Sequence, residues 1–130
     1  MTRTLATAAL LALAACTSTA RQPLNDIGMI SYAARGAEPF WALAIGSDQI
    51  ALTLAEDGQP TTIRYPRVLP VTQDGVTRYQ SGEGTRVITI EVRDGPCTLL
   101  NEDHAYHDQV TVSLSGRQFE GCGGRGVSAQ

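Results

Sequence analysis

From Met29 onward the chain alternates apolar with small or polar residues at a period of two, and turn-forming residues cut the pattern at short intervals. This feature constrains the fold most, because successive side chains of a strand point to opposite faces and strict alternation gives a sheet one dry face. Ile50, Leu52 and Leu54 share one side, as do Ile88, Ile90 and Val92, then Val110, Val112 and Leu114. Ala51, Thr53, Thr89, Glu91, Thr111 and Ser113 take the other. The pattern predicts strands over Met29 to Ala34, Phe40 to Ile45, Gln49 to Ala55, Thr61 to Tyr65, Val68 to Thr72, Val76 to Gln80, Thr85 to Val92, Gln109 to Leu114 and Gln118 to Glu120. Between them lie Gly36 to Pro39, Gly46 to Asp48, Glu56 to Gly58, Gln73 to Gly75, Ser81 to Gly84, Arg93 to Pro96 and Ser115 to Arg117. Three of these separators hold an Asp-Gly pair, and both residue types tolerate the positive φ that a tight hairpin demands.

No window sustains a helical repeat, so the expected domain is all-β. About eight short antiparallel strands with one apolar face are best satisfied by a small antiparallel β-barrel, which removes exposed edges. A two-sheet β-sandwich is the alternative. Pro66 and Pro70 flank Val68-Leu69 and have no N–H to give to a ladder, so this strand is expected to be short or at an edge.

The N-terminus reads differently. Met1-Thr2-Arg3 carries one positive charge, and Leu5 to Ala15 carries none. About eleven helical residues reach roughly 16 Å, whereas a hydrocarbon core needs nearer 30 Å. The segment is a targeting signal and does not span. Leu13-Ala14-Ala15-Cys16 resembles the bacterial lipobox, in which a cysteine thiol takes a diacylglycerol and becomes the first residue of the mature chain. Thr17 to Pro23 is then a polar tether. Two acyl chains on Cys16 would anchor stably, since each buried CH₂ contributes about 0.8 kcal/mol and a single chain is marginal. The expected organisation is a lipoprotein signal peptide over 1–15, lipidated Cys16 with a flexible tether to 27, a single domain over 28–123 and a flexible tail over 124–130. The glycine-rich run Gly121 to Gly126 is read with that tail. The location is the bacterial cell envelope, facing the periplasm, and Thr17 in place of Asp favours the outer membrane.

The anchor bears on the other cysteines. With Cys16 acylated, Cys97 and Cys122 remain as a pair in an oxidising compartment, where a disulfide is expected. The chain has 10 basic and 13 acidic residues, and residues 1–15 contribute only Arg3 to that total. The arginines are scattered, without the basic stripe of a nucleic-acid binder, so no nucleic-acid partner is expected.

Two segments stand out as candidate sites. Arg35-Gly36-Ala37-Glu38-Pro39-Phe40-Trp41 sets the only Trp at a strand start, as the core plug of an aromatic-poor domain or as a ligand platform, with Arg35 and Glu38 paired across the turn. Cys97 to Asp108 is the longest irregular and most polar stretch and holds both histidines; there Asp103 and Tyr106 are expected to organise the loop. Glu102, Asp103, His104, His107 and Asp108 include zinc-type donors, but His104 and His107 share a face only on a helix, so a solvated loop is expected and no metal is assigned.

Arg35-Gly36-x-Glu38-Pro39-Phe40-Trp41, Tyr79-x-x-Gly82, and Cys97-x5-Asp103-x2-Tyr106 followed by Gly116-x4-Gly121-Cys122 resemble the motifs of a family of uncharacterised bacterial envelope proteins. The resemblance runs from about Ile30 to Gly123, and Leu99-Leu100-Asn101-Glu102 departs from it where that family carries Asp-Gly-Met-Ser. A lipid-anchored, disulfide-bonded β domain is also similar in kind to the membrane-bound inhibitors of c-type lysozyme, with Tyr79-Gln80-Ser81-Gly82 a faint echo of their loop. No nucleophile elbow, phosphate loop or H-E-x-x-H pattern occurs. The expectation is therefore an envelope binding or structural module without catalysis or cofactor, with a periplasmic inhibitor of c-type lysozyme as the alternative and a metal-binding envelope protein as a weaker one. Its partners are the membrane, through Cys16, and an envelope protein or ligand.

Overall fold

The computed structural model describes residues 27–56, 58–100 and 102–126. They form an all-β domain of nine strands: β1 Ile30–Ala37, β2 Phe40–Gly46, β3 Gln49–Glu56, β4 Gln59–Pro66, β5 Val71–Gln73, β6 Val76–Ser81, β7 Ile88–Thr98, β8 Ala105–Leu114 and β9 Arg117–Gly124. All pairings are antiparallel, in the order β4-β3-β2-β1-β9-β8-β7-β6-β5. A short 3-10 turn, Gly84–Arg86, lies between β6 and β7.

Local chemistry makes the hairpins. Gln73 pairs with Val76 around Asp74-Gly75, and Leu114 pairs with Arg117 around Ser115-Gly116. Both two-residue turns have positive φ throughout, 54° and 78° in the first and 51° and 76° in the second, as a type I′ turn requires. Glu38-Pro39, with a cis peptide bond, joins β1 to β2. Asp94-Gly95, expected to be a hairpin turn, lies instead within β7, where the register with β8 shifts between Asp94 and Cys97. A bulge uses the permissive backbone of glycine as readily as a turn does, so the dipeptide alone does not choose between them.

The sheet rolls so that its dry face closes on itself. Leu43, Ile45, Ile50 and Leu52 from β2 and β3 share one buried cluster with Ile88, Ile90, Val110, Val112 and Phe119 from β7, β8 and β9. Closure by a continuous ladder, the barrel expectation, is not met: β4 and β5 remain the two edges. The physical reason lies in the seam. Pro60 and Pro66 on β4 and Pro70 before β5 lack donors, and β5 is only three residues long. One side-chain bond bridges the gap, the Ser81 hydroxyl donating to Pro66 O at 2.7 Å. The segment expected as a strand from Val68 to Thr72 is accordingly irregular up to Pro70.

Both expected domain ends move. Ile27, placed in the tether, is fully buried with Ala44 and Ala51 on the outer face of β2 and β3, and its carbonyl accepts from Asp48 N at 2.9 Å. At the other end, the run read as tail is strand: β9 extends through Gly124, and Gly123 and Gly124 pair with Ala34 and Ala33. Close packing explains Gly123, since a Cβ there would stand 2.7 Å from the Tyr32 hydroxyl.

Trp41 is the plug. It is 1% exposed within the core, and its indole N–H donates to Glu120 O at 3.3 Å. Gly36 and Gly121 leave room for the ring, because a Cβ at either would overlap it.

Candidate binding site

Cys97 and Cys122 are bonded, with Cα atoms 5.5 Å apart. They sit on β7 and β9, which both pair with β8 and not with each other. Strands flanking a third lie about 9.6 Å apart in a flat sheet, twice the 4.8 Å spacing. The end of the β7–β8 hairpin, still paired through Cys97 with Tyr106 and Thr98 with Ala105, must therefore bend at the bulge so that its tip folds back towards β9. We call the folded-over tip, Gly95 to Leu100 with Glu102 to His107, the arm.

The arm lands on β1. Cys122 is the register partner of Arg35, and from this position Arg35 Nε donates to the Tyr106 hydroxyl at 2.8 Å while Nη2 donates to Glu102 Oε1 at 2.6 Å. Tyr106 in turn donates to Glu102 Oε2 at 3.0 Å. Burial raises the Tyr106 pKa, and the bond to Glu102 adds to that, against the opposing pull of Arg35. Burial would lower the Arg35 pKa, but its bonds to Tyr106 and Glu102 carry it above the ordinary value. His104 packs edge-on to the Tyr106 ring with centroids 4.8 Å apart. Arg35, Tyr106 and Glu102 thus clamp the arm to the sheet, and these groups satisfy one another.

The expected site residues are sorted by this arrangement. Arg35 and Tyr106 come together, with Glu102 as the third partner. Arg35 does not pair with Glu38 across the turn; Glu38 is exposed and lines a groove of about 460 Å³ beside the disulfide. Asp103 is exposed and makes no side-chain hydrogen bond among the described residues, so Glu102 holds the organising role expected of it. Trp41 is core. His107 is exposed, Asp108 lies at the far side of the arm's base, and among the described residues no three His, Cys, Asp or Glu side chains converge on a point that could hold a metal ion.

A second concavity is richer in unsatisfied chemistry. The inward positions of β7 run Ile88, Ile90, Val92 and then Asp94; those of β8 run Val112, Val110 and then Asp108. Asp94 and Asp108 are direct register partners, so two carboxylates face each other where the core ends. Like charges placed this way repel. The Tyr32 hydroxyl donates to Asp108 Oδ2 at 2.9 Å. Burial first, then the bond to Asp108 and the nearby Asp108, Tyr79 and Asp94, push the Tyr32 pKa far above its ordinary value, which keeps it a donor.

These groups line a cleft of about 530 Å³ at the open end of the rolled sheet, together with Arg67, Thr77, Tyr79 and Arg125. Arg67 comes from the seam between β4 and β5, with its guanidinium carbon 5.6 Å from the centroid of the Tyr79 ring. Its Nη1 is cut off from solvent and has no hydrogen-bond partner. A buried donor without an acceptor is costly, so an orphan of this kind calls for an account.

Sequence reasoning missed Tyr32, Arg67, Asp94 and Arg125, and named Asp108 only as a metal donor. A signal existed for the aspartates: one more step of two along Ile88-Ile90-Val92 reaches Asp94, and along Val112-Val110 reaches Asp108. Charge at a core-facing position marks an end of the core or a site. Nothing local marks Arg67 or Arg125, which reach the cleft only through the seam and the end of β9. Comparison with known protein families, with characterised proteins and with solved structures finds no match to this chain.

Proposed function

We propose that this chain is a lipid-anchored bacterial envelope protein that works by binding, without catalysis, and that its ligand enters the open-end cleft. The observation that carries the binding half is the change of lining at that end, where apolar inward positions give way to Asp94, Asp108, Arg67 and Arg125 around about 530 Å³. This volume lies in the range of small-molecule sites, and the lining is mainly polar, with four charged residues set among Tyr32, Tyr79, Val92 and Pro70. The anchoring half is supported by the charged start, the short apolar run and Leu13-Ala14-Ala15-Cys16. The likeness of the Arg35 to Trp41 and Cys97 to Cys122 motifs to envelope proteins supports the same location, with the outer membrane favoured.

Inhibition of c-type lysozyme is the weaker reading. Ser81, in the segment that echoes the inhibitors' loop, is 3% exposed and its hydroxyl bonds within the chain. It is not placed to enter another protein's active site.

The reading is tested in a diderm host. The parent should incorporate labelled palmitate and sediment with membranes, whereas Cys16→Ser should do neither. A Cys16→Ser chain that still labels and sediments would overturn the anchor. Stoichiometric protection of c-type lysozyme in a lytic assay with the purified protein would replace the binding reading with inhibition.

A further inference from the structure

Opposite charges gathered in one cleft can neutralise one another as ion pairs. In the open-end cleft they do not: no ion pair joins Arg67 or Arg125 to Asp94 or Asp108, although all four line the same space. Elsewhere in the described residues, pairs form readily where arginine and glutamate approach, as with Arg35 and Glu102 at 2.6 Å. The cleft therefore presents both signs of charge without direct pairing, Asp94 and Arg125 exposed and Arg67 and Asp108 half-buried. On one side stands a guanidinium with a desolvated, unpartnered Nη1, steadied over the Tyr79 ring. On the other stand two register-paired carboxylates, of which Asp108 has a hydroxyl donor and Asp94 has no fixed donor.

We propose that the cleft binds a small zwitterion of about dipeptide size, its carboxylate taken by Arg67 and Arg125 and its ammonium by Asp94 and Asp108. Each half of this assignment follows from group chemistry. A planar guanidinium presents paired donors that match a carboxylate's two oxygens, which a neutral ligand cannot satisfy as well. An ammonium has three donors and no acceptor, and a pair of facing carboxylates offers it acceptors while its charge relieves their repulsion. A mono-anion would leave the aspartates unrelieved, and a mono-cation would leave Arg67 and Arg125 without an anion. Tyr32 and Tyr79 supply apolar faces for the body between the two ends.

This inference rests on the reading of the cleft as a binding site, and its test separates the two. The full chain in mild detergent is titrated with alanylalanine, its N-acetyl form, its C-terminal amide and the doubly blocked form, followed by calorimetry and by amide chemical shifts. The free dipeptide should shift amides of Tyr32, Tyr79, Asp94 and Asp108, and blocking either end should weaken binding at least tenfold. Arg67→Gln should remove the preference for the free carboxylate while leaving the preference for the free ammonium. Asp94→Asn, which keeps the Tyr32–Asp108 bond, should do the reverse. If blocked forms bind the same residues as tightly as the free dipeptide, the zwitterion is overturned and the cleft still binds. If none of the four shifts those amides, the zwitterion and the cleft reading fall together.

Discussion

Removing the disulfide should release the arm before it unfolds the domain. Cys97 and Cys122 are separated by 25 residues. Loop-closure entropy for a span of this length corresponds to about 3.5 kcal/mol at 25 °C, the constraint that Cys97→Ala with Cys122→Ala removes from the unfolded chain. That is a large share of the 5–15 kcal/mol typical of a domain. With a urea slope of about 1.5 kcal/mol/M, the unfolding midpoint should fall by roughly 2 M. A second effect comes from the path over β8. Without the bond, the arm is held by the Arg35–Tyr106–Glu102 clamp, whose ion pair has side chains 28% and 30% exposed and so contributes only about 1 kcal/mol. Hydrogen exchange should therefore show Glu102 to His107 exchanging rapidly in the double variant while the β2, β3 and β8 core amides keep their protection. A bond that merely reinforced the sheet would lower all of these together. If the midpoint shifts by less than about 0.3 M, or if the arm amides stay as protected as the core, the reasoning about the folded-over tip is wrong.

Three further outcomes follow from the packing and the tyrosines. Gly121→Ala puts a methyl 2.7 Å from the Trp41 ring and against Arg35 O, so it should cost about 2 kcal/mol by overpacking and alter Trp41 fluorescence; an unchanged spectrum and midpoint would refute the fit. Ser81→Ala strands the Pro66 carbonyl at the seam and should cost about 1 kcal/mol, with faster exchange confined to β4 and β6; uniform exchange across the sheet would count against a local seam. Tyr32, Tyr65 and Tyr106 all have pKa values raised above 10.0, with burial the largest cause in each. The unfolded chain therefore loses these protons first, and the stability present below pH 10 should decline above it, by about 1.4 kcal/mol per pH unit for each tyrosine still protonated in the fold. Unfolding followed by circular dichroism from pH 9 to 11.5 should show that decline, shallower in Tyr32→Phe, and a flat profile would refute it.

What the sequence determines is local. Alternation at Ile50-Leu52-Leu54 and Val110-Val112 assigns the buried face because a strand's side chains have no other period. Asp74-Gly75 makes its hairpin because its backbone demand is met by two adjacent residues. The cysteine pairing is legible by count on the expectation that Cys16 takes lipid, and the Arg35 and Tyr106 motifs mark residues that do meet. Their meeting, at a separation of 71 residues, is tertiary. So are the bulge that turns Asp94-Gly95 from a hairpin into a bend, the disulfide that crosses over β8, and the seam that prolines leave unpaired. Each depends on which strands become neighbours, and that order is fixed by burying a whole face at once, with no signal inside any single segment. The cleft has the same origin: Asp94 and Asp108 are foreseeable as charges on inward positions, but Arg67 and Arg125 join them only where the rolled sheet fails to close.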